Sequence, residues 1–200
     1  MSEEVLAGGN VNTEVVRIKN TVRRSTSLIS PAAHRLLLHL ESQGFEGCPK
    51  FLGIDDKNRE ILSFLEGETG IPEYIWQDDQ AVVATAQLLE NYHEATRNFP
   101  KDDTLVWGIT YPDASSHEVI CHNDFAPYNF IFKDQKPYAV IDFDLVGPGP
   151  RLRDIAYAAY WLTPLSFNTP DMQSHSELDL QNDSERLKLF CNTYGLDLSC

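Results

Sequence analysis

The residues with the clearest chemical content lie between His122 and Asp144, in the stretch HNDFAPYNFIFKDQKPYAVIDFD. It sets a histidine (His122), a carboxylate (Asp124), an amide (Asn129) and a second carboxylate (Asp142) around two apolar runs. Phosphoryl transfer calls for this assortment. One carboxylate must orient an acceptor hydroxyl and take its proton, and oxygen ligands must hold Mg2+ on the nucleotide phosphates. Mg2+ prefers octahedral oxygen donors, usually one or two side chains plus phosphates and water. The Asn129 amide oxygen and the Asp142 carboxylate suit that ion, and Asp124, on the loop ahead of the first apolar run, suits the base. Asp144 falls on the face of Asp142 if the strand continues. It reads as an outward loop carboxylate, with a second metal contact as the alternative. The H-x-D-x-x-x-x-N spacing is only suggestive by itself. The apolar strand, short turn and apolar strand ending in Ile141-Asp142-Phe143 make it specific. The competing reading treats His122 and Asp124 as turn-formers and Asp142 as a strand cap.

These groups need rigid elements to fix their separation. Phe130–Phe132 and Tyr138–Ile141 read as two strands around the turn Lys133–Pro137, preceded by the short apolar run Val119–Cys121. Upstream, Val15–Ile18 and Thr21–Arg23 suggest a hairpin turning at Lys19-Asn20, after a Gly8-Gly9-Asn10 turn. Ser30-Pro31 marks a helix start with Ser30 as cap. Ala33, Leu36, Leu37 and Leu40 then share a face, and Gly44 supplies the stop. Lys50–Ile54 and Glu60–Phe64 are two further strands, joined by the polar turn Asp55–Asn58. Leu65–Gly70 reads as a linker. Helices follow over 78–98, around Ile155, Ala158, Ala159 and Leu162, and over 184–194 ending at Gly195. Gly147–Pro150 reads as a stiff turn. Strands with one helix, then helices enclosing a hairpin, form an α+β pattern of two lobes.

The segment resembles the catalytic loop and metal-binding hairpin of the aminoglycoside phosphotransferase family, whose fold is similar to that of protein kinases, and the resemblance covers nearly the whole chain. It implies a small β-rich N-lobe (1–66) that binds nucleotide. It also implies a mainly helical C-lobe (67–200) with the catalytic loop, the metal site and part of the acceptor site. It further implies ATP and Mg2+ as cofactors, with His122 and Asp124 in the catalytic loop and Asn129 with Asp142 on the metal. Gly8, Gly9 and Asn10 resemble a short nucleotide loop. Phe64 and Leu65, within Leu62–Gly67, resemble the hinge that bonds adenine, with an ordinary strand end as the alternative. In Arg153-Asp154-Ile155-Ala156, Asp154 would accept backbone N–H bonds from the catalytic loop; the alternative is an exposed helix-start carboxylate.

Three features depart from the family pattern. Arg24 stands where the phosphate-binding lysine is expected, which keeps charge but changes geometry; two exposed strand-end arginines are the alternative. The helix 31–42 presents His34 where the family offers a glutamate, and Glu41 lies too far along. The family usually continues with helices that wall the acceptor pocket, which implies a C-terminally shortened form.

The 200 residues carry a formal net charge of −14, which repels phosphate backbones and argues against a nucleic-acid partner. A hydrophobic content of 42% suffices for a core. No apolar run approaches the ~20 residues needed to cross a bilayer, and the start lacks a secretion signal. Cys48, Cys121, Cys191 and Cys200 are scattered, as expected of reduced thiols in a cytoplasmic protein. The expected partner is a small-molecule hydroxyl acceptor, with no membrane contact. The carboxylates of Asp171–Glu185 read as a solvated face, or as an attractor for an aminoglycoside-like or amino-alcohol cation. The competing function is a nucleotide-binding regulator with little or no turnover, suggested by Arg24 and His34. A fragment too short to bury its core is a third reading.

Overall fold

The alternating apolar residues of the N-terminal third fold as antiparallel ribbons. In the computed structural model, which describes residues 3–6, 15–163 and 180–196, β1 (Glu4–Val5) pairs with β2 (Val16–Ile18), and β2 with β3 (Thr21–Ser25). Lys19 turns the second hairpin at φ +55°. Helix α1 (Ser30–Ser42) then leads to β4 (Phe51–Ile54) and β5 (Arg59–Ser63), completing a sheet in the order β1-β2-β3-β5-β4. Pro31 sits in the first turn of α1 as expected. Ser30 does not cap it: the cap position is Ile29, and the Ser30 hydroxyl instead accepts the Ser27 N–H at 2.8 Å. Gly44 ends the helix at φ +75°, a conformation that costs glycine little.

The segment expected to be a free linker is tied down. Glu68 and Phe132 exchange both backbone hydrogen bonds, each 2.9 Å. A Cβ on Gly67 would stand 2.5 Å from the Phe132 carbonyl oxygen, so only glycine lets the two chains approach. Helix α2 (Asp79–Thr96) follows, capped by the Asp78 side chain.

Strand β6 (Val119–Cys121) precedes the loop 122–129, and the hairpin of β7 (Phe130–Lys133) and β8 (Lys136–Val140) turns at Asp134 and Gln135, both with positive φ. Gly147–Gly149 is a strand, β9, paired with β6, and not the stiff turn expected. Gly147 lets the 107–109 segment close against this strand: a Cβ there would lie 1.9 Å from the Ile109 carbonyl oxygen. Helix α3 (Arg151–Leu162) and helix α4 (Leu180–Tyr194) complete the chain described.

One apolar core runs through the molecule. Leu36, Leu37 and Leu40 of α1 join Val82, Ala86, Leu89 and Tyr92 of α2, then Phe125, Phe130 and Phe132, Ile155 and Leu162 of α3, and Phe190 of α4. The expected α+β, two-lobed protein-kinase-like class is the architecture observed: a sheet-rich N-terminal part over a mainly helical part that carries the hairpin. No helix among the described residues is long and apolar enough to cross a membrane. Cys48, Cys121 and Cys191 are free and buried, and Cys200 lies outside the described residues.

Candidate active site

Helix α3 organises the loop after β6. Asp154, wholly buried, accepts the N–H of His122 at 2.7 Å and of Asn123 at 2.8 Å. It is not the exposed helix-start carboxylate considered as an alternative. Its Oδ2 also lies 3.1 Å from Nε2 of buried His93 on α2, whose Nδ1 is 2.7 Å from the Tyr194 hydroxyl on α4. One carboxylate thus joins the loop to three helices. Asn123 adopts φ +65° and donates its amide to the Leu145 carbonyl at 2.7 Å, pinning the loop to the segment after β8.

Asp124 is held from both sides. Its Oδ2 accepts the Asn129 amide N–H at 2.8 Å, and its Oδ1 accepts the Tyr128 hydroxyl at 2.5 Å. The same Asn129 nitrogen reaches the Asp124 carbonyl at 3.0 Å, which leaves Asn129 Oδ1 as the end of the amide available to a cation. Asn129 directly precedes β7, and Asp142 follows β8 after one residue. The Ile141 N–H donates to the Asn129 carbonyl at 2.8 Å, so the hairpin brings residues 129 and 142 to one end. Asp142 takes φ +66° there, which turns the chain out of the strand direction.

His122 is 0% exposed, its Nε2 donates to the Ile141 carbonyl at 3.1 Å, and its Nδ1 has no partner among the described residues. Burial lowers its pKa, outweighing the pull of Asp154, Asp124 and Asp142, so the ring is a neutral brace between loop and hairpin.

Arg24 reaches this end of the hairpin from β3. Its Nη1 is 3.2 Å from Asp142 and its Nη2 2.6 Å from Asp144, while its Nε bonds Glu60. Asp144 is therefore not an outward loop carboxylate; the turn Phe143–Leu145 directs it back to Arg24. Glu60 is the residue that sequence reasoning missed. It faces Arg24 across the β3–β5 ladder, is 1% exposed, and also bonds His34 Nε2 at 2.5 Å. His34 in turn stacks on Phe51. The glutamate that the helix lacks is supplied by the neighbouring strand. Burial raises the Glu60 carboxyl, but the His34 bond and the Arg24 charge outweigh it and hold the pKa below the usual range. The signal available was a lone acid in an apolar strand, Glu60-Ile61-Leu62, opposite an arginine.

At the end of β5 the Phe64 N–H donates to the Asn20 carbonyl at 2.9 Å, and the Glu66 carbonyl accepts the Tyr138 hydroxyl at 2.8 Å. Between them, the Leu65 N–H and C=O take no partner among the described residues. Gly8, Gly9 and Asn10 lie outside the described residues, as do 171–179 of the acidic segment. Among the described residues no three His, Cys, Asp or Glu side chains group as a metal cage. An amide oxygen with one carboxylate still fits Mg2+, which keeps phosphate and water ligands.

Residues 110–190 match the model of the APH family, the phosphotransferase enzyme family, as the resemblance implied. Over 200 residues the chain is 28% identical to a trifolitoxin immunity protein of Rhizobium leguminosarum bv. trifolii, a match covering 98% of this chain and 76% of that protein. An amicoumacin kinase solved with AMP-PNP, Ca2+ and Ami superposes with a TM-score of 0.69 at 13% identity, covering 96% of this chain and 71% of the kinase. A Plasmodium vivax ethanolamine kinase gives a TM-score of 0.67 at 14% identity, over 99% of this chain and 68% of its own. At these identities the structural likenesses establish the shared fold.

Proposed function

We propose that the protein is an ATP-dependent phosphotransferase that moves the γ-phosphoryl group to a hydroxyl of a small molecule, the acceptor being a cationic aminoglycoside-like compound or amino alcohol. The observation that carries the reading is the Asp124–Asn129–Asp142 arrangement, with base, amide and metal carboxylate gathered by one loop and one hairpin. In this reading residues 1–66 hold the nucleotide and 67–200 carry out the chemistry. Adenine bonds the hinge at Phe64–Leu65, where the Leu65 backbone is available. Arg24 meets the phosphates with its guanidinium.

Asp124 aligns the acceptor hydroxyl and takes its proton as the oxygen bonds the γ-phosphorus and the bond to ADP breaks. Asn129 and Asp142 would hold Mg2+, which would neutralise charge on the phosphates. Asn129 links the metal side to the base, since its one amide serves both. The kinase neighbours bound to AMP-PNP and Ca2+ or named for ethanolamine support a nucleotide, a divalent ion and an amino-alcohol acceptor. The net charge of −14 favours a cationic partner. Buried free thiols and an ATP donor suit a cytoplasmic setting.

A second reading, a nucleotide-binding regulator without turnover, draws on the three carboxylates that already occupy Arg24. A mass-spectrometric screen of hydroxylated amines with Mg-ATP separates the two. The enzyme reading expects a phosphorylated amine. No product and no ATP hydrolysis, where Mg-ATP raises the melting temperature, supports the regulator.

A further inference from the structure

The Asp124 carboxylate is held by a chain of groups that reaches beyond the loop and hairpin. Tyr128 donates its hydroxyl to Oδ1 at 2.5 Å, and the Tyr157 hydroxyl on α3 stands 2.8 Å from the Tyr128 oxygen. The Tyr128 ring meets the edge of Trp161, one helical turn beyond Tyr157, with centroids 5.4 Å apart. Asp154, Tyr157 and Trp161 therefore lie along one side of α3. Asp154 fixes the backbone of the loop at His122 and Asn123, and Tyr157 with Trp161 fix the ring that grips its carboxylate.

A carboxylate with one donor on each oxygen cannot rotate without losing a bond. The Asn129 amide and the Tyr128 hydroxyl approach opposite oxygens, so the plane of the group is set and one lone pair on each oxygen stays open for an acceptor hydroxyl. We propose that Tyr128, braced by Tyr157, is a positioning residue for phosphoryl transfer that holds the Asp124 carboxylate in the orientation from which it meets the acceptor. This rests on the phosphotransferase reading above. It assigns Tyr128 no contact with the metal or the phosphates.

Two measurements test it, one of them independent of turnover. The Tyr128 hydroxyl donates to a carboxylate oxygen, so its removal frees one side of the group. Crystal structures of wild type and Tyr128→Phe should show the Asp124 carboxylate turned away from its wild-type plane in the variant, with the Asn129 contact kept or lost alongside it. An Asp124 carboxylate in the same orientation in both overturns the proposal.

The second measurement is Mg-ATP turnover, with water or an amine as acceptor. Displacing a catalytic group by about 1 Å can cost ~100-fold. Tyr128→Phe should lower kcat at least about tenfold while KM for Mg-ATP and the melting temperature stay near wild type. Tyr157→Phe should show a smaller kcat loss that vanishes in the Tyr128→Phe background, because it acts through Tyr128. A variant whose kcat equals that of a turning-over wild type overturns the positioning role alone. A fall in melting temperature together with weaker nucleotide binding assigns the pair to structure and also overturns it. A wild type whose Asp124 orientation depends on Tyr128 but which never turns over Mg-ATP overturns the phosphotransferase reading.

Discussion

Glu60 shows how much one buried acid can decide. It is 1% exposed and is shared by Arg24 and His34, so removing its charge strands a guanidinium that has only Asp142 and Asp144 left. Glu60→Gln should destabilise the fold by about 3 kcal/mol in urea unfolding, the usual cost of breaking one side of a buried pair. The pH dependence has a definite sign. The Glu60 carboxyl titrates below its ordinary value in the fold, so its stabilisation is complete above the unfolded value of ~4.3 and is lost as pH falls through the lowered folded one. The gap between wild type and Glu60→Gln should therefore close in acid, and a gap constant with pH would refute this. At the same scale, Asp154→Ala leaves the His122 and Asn123 N–H groups without their acceptor and should cost about 2 kcal/mol or more. The roles proposed for Asp124, Asn129 and Asp142 were legible in the sequence because their spacing is local and strands flank them. Glu60 and Tyr128 were not, because their meaning lies in partners brought by another strand and another helix.

At the scale of elements, apolar periodicity located the helices. α2 runs Asp79–Thr96 where the pattern places 78–98, and α1 begins one residue from its expected start, whereas α4 begins at Leu180, four residues before the expected 184. Periodicity could not find β9. Gly147-Pro148-Gly149-Pro150 has the composition of a turn, and it forms a strand because β6 offers an edge. Gly147→Ala should push β9 off the 107–109 segment that closes on it and, like other overpacked sites, cost about 2 kcal/mol, read as a lower melting temperature. Gly67, pressed on the Phe132 carbonyl in what composition marks as a linker, carries the same lesson: close approach between distant backbones leaves no local signature beyond the glycine itself.

Across the whole molecule, Arg24 reaches from the N-terminal sheet to the end of the hairpin at Asp142 and Asp144. Its three carboxylate partners hold the guanidinium charge in place; under the proposed function, a divalent ion and phosphates would compete for it. Arg24→Gln should raise KM for Mg-ATP about tenfold, or ~1.4 kcal/mol, with a smaller change in kcat. The two-lobed class was readable from the order of strands and helices, whereas this cross-lobe contact depends on how the lobes pack. The most direct test of the whole account is the rate of phosphoryl transfer from Mg-ATP by Asp124→Asn beside the wild type, with nucleotide affinity measured in both. The account expects the rate to fall by ~100-fold or more, the usual contribution of a positioned base, with affinity retained. A substituted protein that binds and turns over Mg-ATP like the wild type would contradict it.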